Sequence, residues 1–242
     1  MISFFRKIRT ALLAEGKTGK YLKYAIGEIL LVMIGILLAL QVNNWNEYRK
    51  ARTEEDKILR EIRRNLVIDI SALDRVMNRS LYQGKKYEKL LYLIKQDSFL
   101  KGNALDTLFG SVLEYYQFDL NITPFQEVDS KGINIVSNDS LRLKIINVYE
   151  VSNRRLEHIN NSEKTISTEV IRPYYFHNFN NIDFLSQLAK PRHIEELIKD
   201  DYFVNILEYR LTIKNRNQIW WSGIREEMIK LKEMIDEHFG ES

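Results

Sequence analysis

Cysteine is absent from this 242-residue chain, which excludes disulfides, thiolate metal sites and a cysteine nucleophile. Proline occurs only three times and glycine ten, too sparsely for a turn-rich β-sandwich or a Gly-rich phosphate loop. Neither a Walker lysine loop nor a Gly-x-Ser-x-Gly nucleophile elbow is present. An excess of positive charge is also missing from most of the chain. The net charge is +3, and residues 1–24 hold six bases (Arg6, Lys7, Arg9, Lys17, Lys20, Lys23) against one acid, Glu15. Residues 47–242 carry 30 bases and 31 acids, which argues against a nucleic-acid-binding surface.

One long hydrophobic run is present. Ala25 to Val42 gives 18 residues with a single charge, Glu28. A helix of that length spans about 27 Å at about 1.5 Å per residue, close to one hydrocarbon core. Tyr24 and Trp45 fall at its two ends, where amphipathic rings anchor a span at the membrane interfaces. A cleaved signal peptide is the competing reading. The run is long for that, and Gln41-Val42-Asn43-Asn44-Trp45 lacks the small residues of a cleavage site, so an uncleaved anchor is expected. Six bases precede the span, while Arg49, Lys50, Arg52 and Lys57 follow it. This bias places the N-terminus in the cytoplasm and the bulk of the chain outside the cytoplasmic membrane. Ile2, Phe5, Ile8 and Leu12 recur at helical spacing beside Arg6, Lys7 and Arg9. They fit either a helix lying on an anionic leaflet or a basic topogenic tail.

Written as a helix, the span aligns Glu28, Val32, Gly35, Ala39, Val42 and Asn46 on one stripe. Gly35 and Ala39 form a small-xxx-small pair that lets helices approach closely in lipid. Glu28 on that stripe fits a helix–helix interface, simple snorkelling to the headgroups, or a pore acid in an oligomer.

The segment YAIGEILLVMIGILLALQVNNWNE, with FFRKIR before it, resembles the N-terminal signature of an uncharacterised family of small membrane-anchored proteins from Bacteroidota. The likeness is dense over residues 3–47, and DSKGINIVSNDSLRLKIINVYE (129–150) is similar to a weaker internal pattern of the same family. The resemblance implies a single-pass inner-membrane protein with a helical outer domain. It brings no activity and no catalytic residues.

Beyond the span, Leu59, Ile62, Leu66, Ile70, Leu73, Met77 and Leu81 step by three or four, the mark of an apolar helix seam. Gly84 suggests a bend before the pattern resumes at Tyr87. Leu105 to Leu113 suggest a second helix. Thr123-Pro124-Phe125-Gln126 reads as a helix start capped by Thr123, and Gly132 as its end. Asn138 or Asp139 caps a long helix that Pro173 stops, and residues 172–184 read as an aromatic, Asn-rich loop. Residues 193–199 and about 202–239 complete the helices. In the last, Ile206, Tyr209 or Arg210, Ile213, Trp220, Ile224, Met228, Leu231 and Ile235 mark the buried side, while Lys214, Asn217 and Gln218 face a neighbouring subunit or water. No alternating pattern predicts a sheet.

The expected fold is all-α, an N-terminal transmembrane helix continuing into an elongated antiparallel helical bundle. The expected organisation is a basic amphipathic cytoplasmic segment (1–22), a transmembrane helix (23–46) and a helical extracytoplasmic domain (47–242). His193 and Glu196 stand at i, i+3, a spacing found in di-iron bundles, but no second copy accompanies them and surface charge is the plainer reading. The aromatic groups at 114–116, 173–176 and 219–221 fit either a core or a pocket between helices. No catalytic residue, metal or cofactor is predicted. The expected function is that of a non-enzymatic envelope scaffold, or a sensor and partner-binding module, that self-associates through its span and stalk and contacts an envelope protein. An ion-conducting oligomer with Glu28 at the pore entrance and an envelope hydrolase are the alternatives.

Overall fold

The computed structural model of the chain describes residues 18–96 and 103–240. The basic segment around Ile2 to Leu12 lies outside the described residues. Two compact units are present, Met1–Asp56 and Lys57–Ser242. Helix α1, Thr18–Lys95, contributes to both. In the second unit follow α2 (Asn103–Gly110), a 3₁₀ turn (Ser111–Leu113), α3 (Thr123–Lys131) and a 3₁₀ turn (Ile133–Ile135). Next come α4 (Asp139–Ile146), α5 (Asn153–Thr165), α6 (Arg172–Asn178), a hairpin of β1 (Phe179–Asp183) and β2 (Leu188–Pro191), α7 (Ile194–Leu197) and α8 (Asp201–Phe239).

The fold is a predominantly helical bundle, as the periodicity predicts. Along α1, Leu59, Ile62, Leu66 and Leu73 are buried, whereas Leu81 is exposed at the end of that stripe. Gly84 does not interrupt α1, because a single helical glycine costs only about 1 kcal/mol and the helix is packed on both sides of it. The partner of α1 is α8, and the two run antiparallel. Arg63 donates to Asp236, Arg225 to Asp74 (2.6 Å), Gln218 to the Met77 carbonyl (2.7 Å), and Lys95 pairs with Glu208 (3.4 Å). Asp200 caps α8 by accepting from Tyr202 N–H, and Gly240 ends it at φ 68°, a left-handed position suited to glycine.

The third long element is α4, α5 and α6 joined end to end by two π-helical turns, Asn147–Ser152 and Ile166–Ile171. It too is antiparallel to α8, through Lys144–Glu227 (2.6 Å), Glu163–Asn217 (2.8 Å) and Tyr174–Asp200 (2.5 Å). Asn138 caps it at the Leu141 N–H, as expected. Pro173 does not stop it. The proline lies just past the second π turn, whose wider winding changes the backbone pairing where the missing N–H and the ring would otherwise disrupt the ladder.

Residues 172–184 are therefore not a loop: they form α6 and the first strand of a hairpin. The pairs are Phe179↔Pro191, Asn180↔Lys190 and Asp183↔Leu188, with an irregularity between Asn180 and Asp183. Asp183 Oδ1 accepts from Leu185 N–H (2.9 Å) and Ser186 N–H (3.3 Å), which closes the turn. Phe179 and Ala189 are the buried anchors, too few to write an alternating pattern into the sequence. Thr123 does not cap α3 either. It belongs to the helix, and the Asn121 side chain accepts from its N–H (3.1 Å), an Asx turn that competes successfully for the helix start.

The hairpin packs directly on the end of α2. A Cβ at Gly110 would overlap the Gln187 carbonyl and lie 2.7 Å from Leu188 N. Gly110→Ala is expected to destabilise the unit by about 1–3 kcal/mol or more, read as a fall in the urea midpoint at unchanged m-value.

Candidate functional site

The residues of the predicted stripe lie within α1. Glu28, Val32, Gly35, Ala39, Val42 and Asn46 fall at alternating steps of four and three within α1 and share one side of the helix. No part of the 18-residue apolar window is buried. A Cβ at Gly35 would meet nothing within 4 Å, so that position is open for close approach. Glu28 and Asn46 are half-exposed at the two ends of the stripe. Trp45 is exposed, with the Arg49 guanidinium 5.4 Å from its ring, and Arg52 lies 5.0 Å from the Tyr48 ring. The side chain of Tyr24 lies outside the described residues.

In the second unit the apolar interior divides in two. One cluster runs over Leu59–Leu73 of α1, Leu141–Ile159 of the third long element and Trp221–Ile235 of α8. The other gathers Tyr87–Leu93, Leu105–Leu113, Ile171–Phe179 and Phe203–Leu207. On each long element the interval between them is polar and buried. Ser80 and Gln83 come from α1, Glu163 and Ser167 from α5 and its π turn, and Arg210, Lys214 and Asn217 from α8.

Glu163 is the centre of this seam. Its Oε2 accepts from Arg210 Nη1 (2.5 Å) and its Oε1 from Asn217 Nδ2 (2.8 Å). Arg210 also donates to the Glu114 carbonyl. Burial works against the Arg210 charge, but Tyr87 and Glu163 outweigh it and hold the guanidinium above its ordinary value. Gln83 Nε2 donates to the carbonyls of Ser111 (2.5 Å) and Glu114 (2.9 Å), tying the segment after α2 into the seam. Lys214 Nζ approaches Ser80 Oγ at 3.5 Å and lies 5.5 Å from the rings of Tyr87 and of Tyr116. Burial, reinforced by the Arg210 charge, lowers this amine to about 7, with Glu163 and Glu114 opposing. Burial likewise pushes Tyr116 up to about 12, helped by Glu114. Gln83 Oε1, Ser167 Oγ and Arg210 Nε have no hydrogen-bond partner among the described residues. Ser167 sits on the π turn, a helix irregularity often associated with functional sites.

Lys214 and Asn217 thus turn into the unit rather than toward water. Asn217 and Lys214 are inside the seam, and half-buried Gln218 bonds α1. The reason is that carboxylate, hydroxyl and aromatic partners lie on facing helices. Arg210 rather than Tyr209, and Trp221 rather than Trp220, take the core positions of α8. Spacing carried a signal for Glu163 and Ser167: they continue the buried stripe Leu156, Ile159 toward Ile171.

A cleft of about 520 Å³ opens where α6, β2, α7 and the start of α8 meet. It brings His193 and Glu196 together with His177, Arg192, Tyr174 and Asp200. The Tyr174 hydroxyl donates to Asp200 Oδ2 (2.5 Å), so Asp200 is committed to that bond and to capping α8. Among the described residues no group of three or more His, Asp or Glu is placed to hold a metal ion.

Among the described residues one helix, α1, is long and apolar enough to cross a membrane, a test that an N-terminal signal sequence also passes. No curated protein and no solved structure matches the chain. A family model does match, over residues 28–215. It starts at Glu28, inside the apolar run, includes the rest of that run and the cleft, and ends one residue beyond Lys214. The chain accordingly belongs to DUF6090, a family of unknown function.

Proposed function

We propose that the protein is a non-enzymatic, membrane-anchored helical module that self-associates through its span and acts as a scaffold or partner-binding sensor in the bacterial envelope. The observation that carries this reading is the apolar run from Ala25, none of it buried in its own fold. A water-soluble chain hides such a surface, whereas lipid satisfies it without cost. The Lys and Arg bias supports an inner-membrane protein with the N-terminus in the cytoplasm and the 57–242 unit in the periplasm. The second copy docks on the Glu28, Val32, Gly35, Ala39, Asn46 stripe, where small residues permit close backbone approach. Tyr24 and Trp45 set the depth of the span.

The absence of native cysteine makes the test clean. Single cysteines at Gly35, Ala39 and Leu37 are introduced, and oxidative crosslinking is carried out in native membranes. Covalent dimer is expected at 35 and 39 and not at 37, which lies on the opposite side of the helix. Equal crosslinking at all three, or none, would rule out the stripe as an interface.

A further inference from the structure

We propose that Lys214 is a proton sensor, and that protonation of its buried amine loosens the polar seam joining the two apolar cores of the 57–242 unit. The seam has one buried carboxylate for two basic side chains. Both oxygens of Glu163 are taken, by Arg210 and Asn217. Among the described residues Lys214 is hydrogen-bonded to no carboxylate and has a single 3.5 Å contact, to the Ser80 hydroxyl. The faces of Tyr87 and Tyr116 give a cation partial support, so the charged form is held in place without being fully paired.

The surroundings of the amine are defined on every side. From α1 it meets Ser80 and Tyr87, both uncharged, and Arg79 acts on neighbouring Tyr116. From the segment after α2 come Tyr116 and Glu114, whose carboxylate accepts the Tyr116 hydroxyl at 3.2 Å. From α5 comes Glu163, and from α8 itself Arg210, one helical turn away. A proton on Lys214 therefore sets a second positive charge beside a permanent one in a buried site. Opening the seam returns the amine to water, where its affinity for the proton is ordinary, so proton uptake and opening are coupled. Gln83 Oε1, Ser167 Oγ and Arg210 Nε gain hydration on opening and give up no protein bond.

The sign follows from the shift. The closed form titrates near 7 and the opened form near 10.5, so between those values the opened form holds more protons. The opening constant rises on the order of tenfold for each pH unit lost within that window and levels off below 7. Hydrogen exchange of the full chain in detergent micelles, corrected for intrinsic rates and followed from pH 6 to 9, tests this. Protection at 80–87 and 207–217 is expected to fall by about tenfold for each pH unit as pH drops from 9 toward 7, while 59–66 and 228–235 stay protected. Lys214→Met is expected to abolish the slope, and Lys214→Arg to hold the seam open at every pH. A flat wild-type profile, or an unchanged slope in the methionine variant, overturns the proposal. If the methionine variant does not fold, the arginine variant decides: protection that still varies with pH overturns it, and a uniformly opened seam supports it.

Discussion

Replacing Glu163 with alanine is expected to destabilise the 57–242 unit by about 3–5 kcal/mol, a large part of the stability of an ordinary domain. The loss is not that of one hydrogen bond. Glu163 is buried, Arg210 is fully buried, and their 2.5 Å contact supplies the only carboxylate oxygen to which Arg210 is hydrogen-bonded among the described residues. Without it the guanidinium keeps a carbonyl acceptor but no counter-charge, and the Asn217 amide loses its acceptor inside the bundle. A double variant, Glu163→Leu with Arg210→Met, is expected to recover most of the loss, because apolar groups of similar volume avoid both desolvation penalties. Urea unfolding of the two variants gives the comparison. By contrast, Lys50–Glu47 is mostly exposed on both sides and its removal is expected to change stability little.

Why Glu163 escaped a reading of the sequence is physical. Its spacing continues the Leu156, Ile159 stripe, but its partners lie 47 and 54 residues away, and spacing does not display what a charge pairs with. The periodic features were legible: the apolar run, the α1 seam, the Asn138 cap and the whole of α8 follow from local spacing and capping chemistry. Lys214 and Asn217 could be singled out as polar residues on an apolar seam, but their direction depended on groups contributed by α1 and α5. Local rules failed where tertiary packing changed local geometry. The π turn at Ile166–Ile171 let the chain pass Pro173 as a helix, and the Asx turn at Asn121 displaced Thr123 from its cap. The 179–191 hairpin rests on two buried anchors and one aspartate-closed turn, so it leaves almost no alternation to read.

Ile34→Arg is expected to impair membrane insertion strongly. Position 34 is close to the midpoint of Ala25–Val42, where arginine costs about 2.5–3.5 kcal/mol of insertion free energy, on the order of a hundredfold in the equilibrium. No other part of the described chain offers a comparable window to compensate. An arginine at Leu81, equally exposed but in the second unit, is the matched control and is expected to leave partitioning unchanged. The membrane-bound fraction of the two variants, measured at equal expression, gives the result.

Alkaline carbonate washing of membranes that carry the wild-type chain, followed by intact-mass measurement, addresses the anchor itself. A pelleted polypeptide that still contains Ala25–Val42 is the expected result. A washed-out polypeptide beginning after Trp45 would contradict membrane anchoring, and with it the self-association proposed for the span.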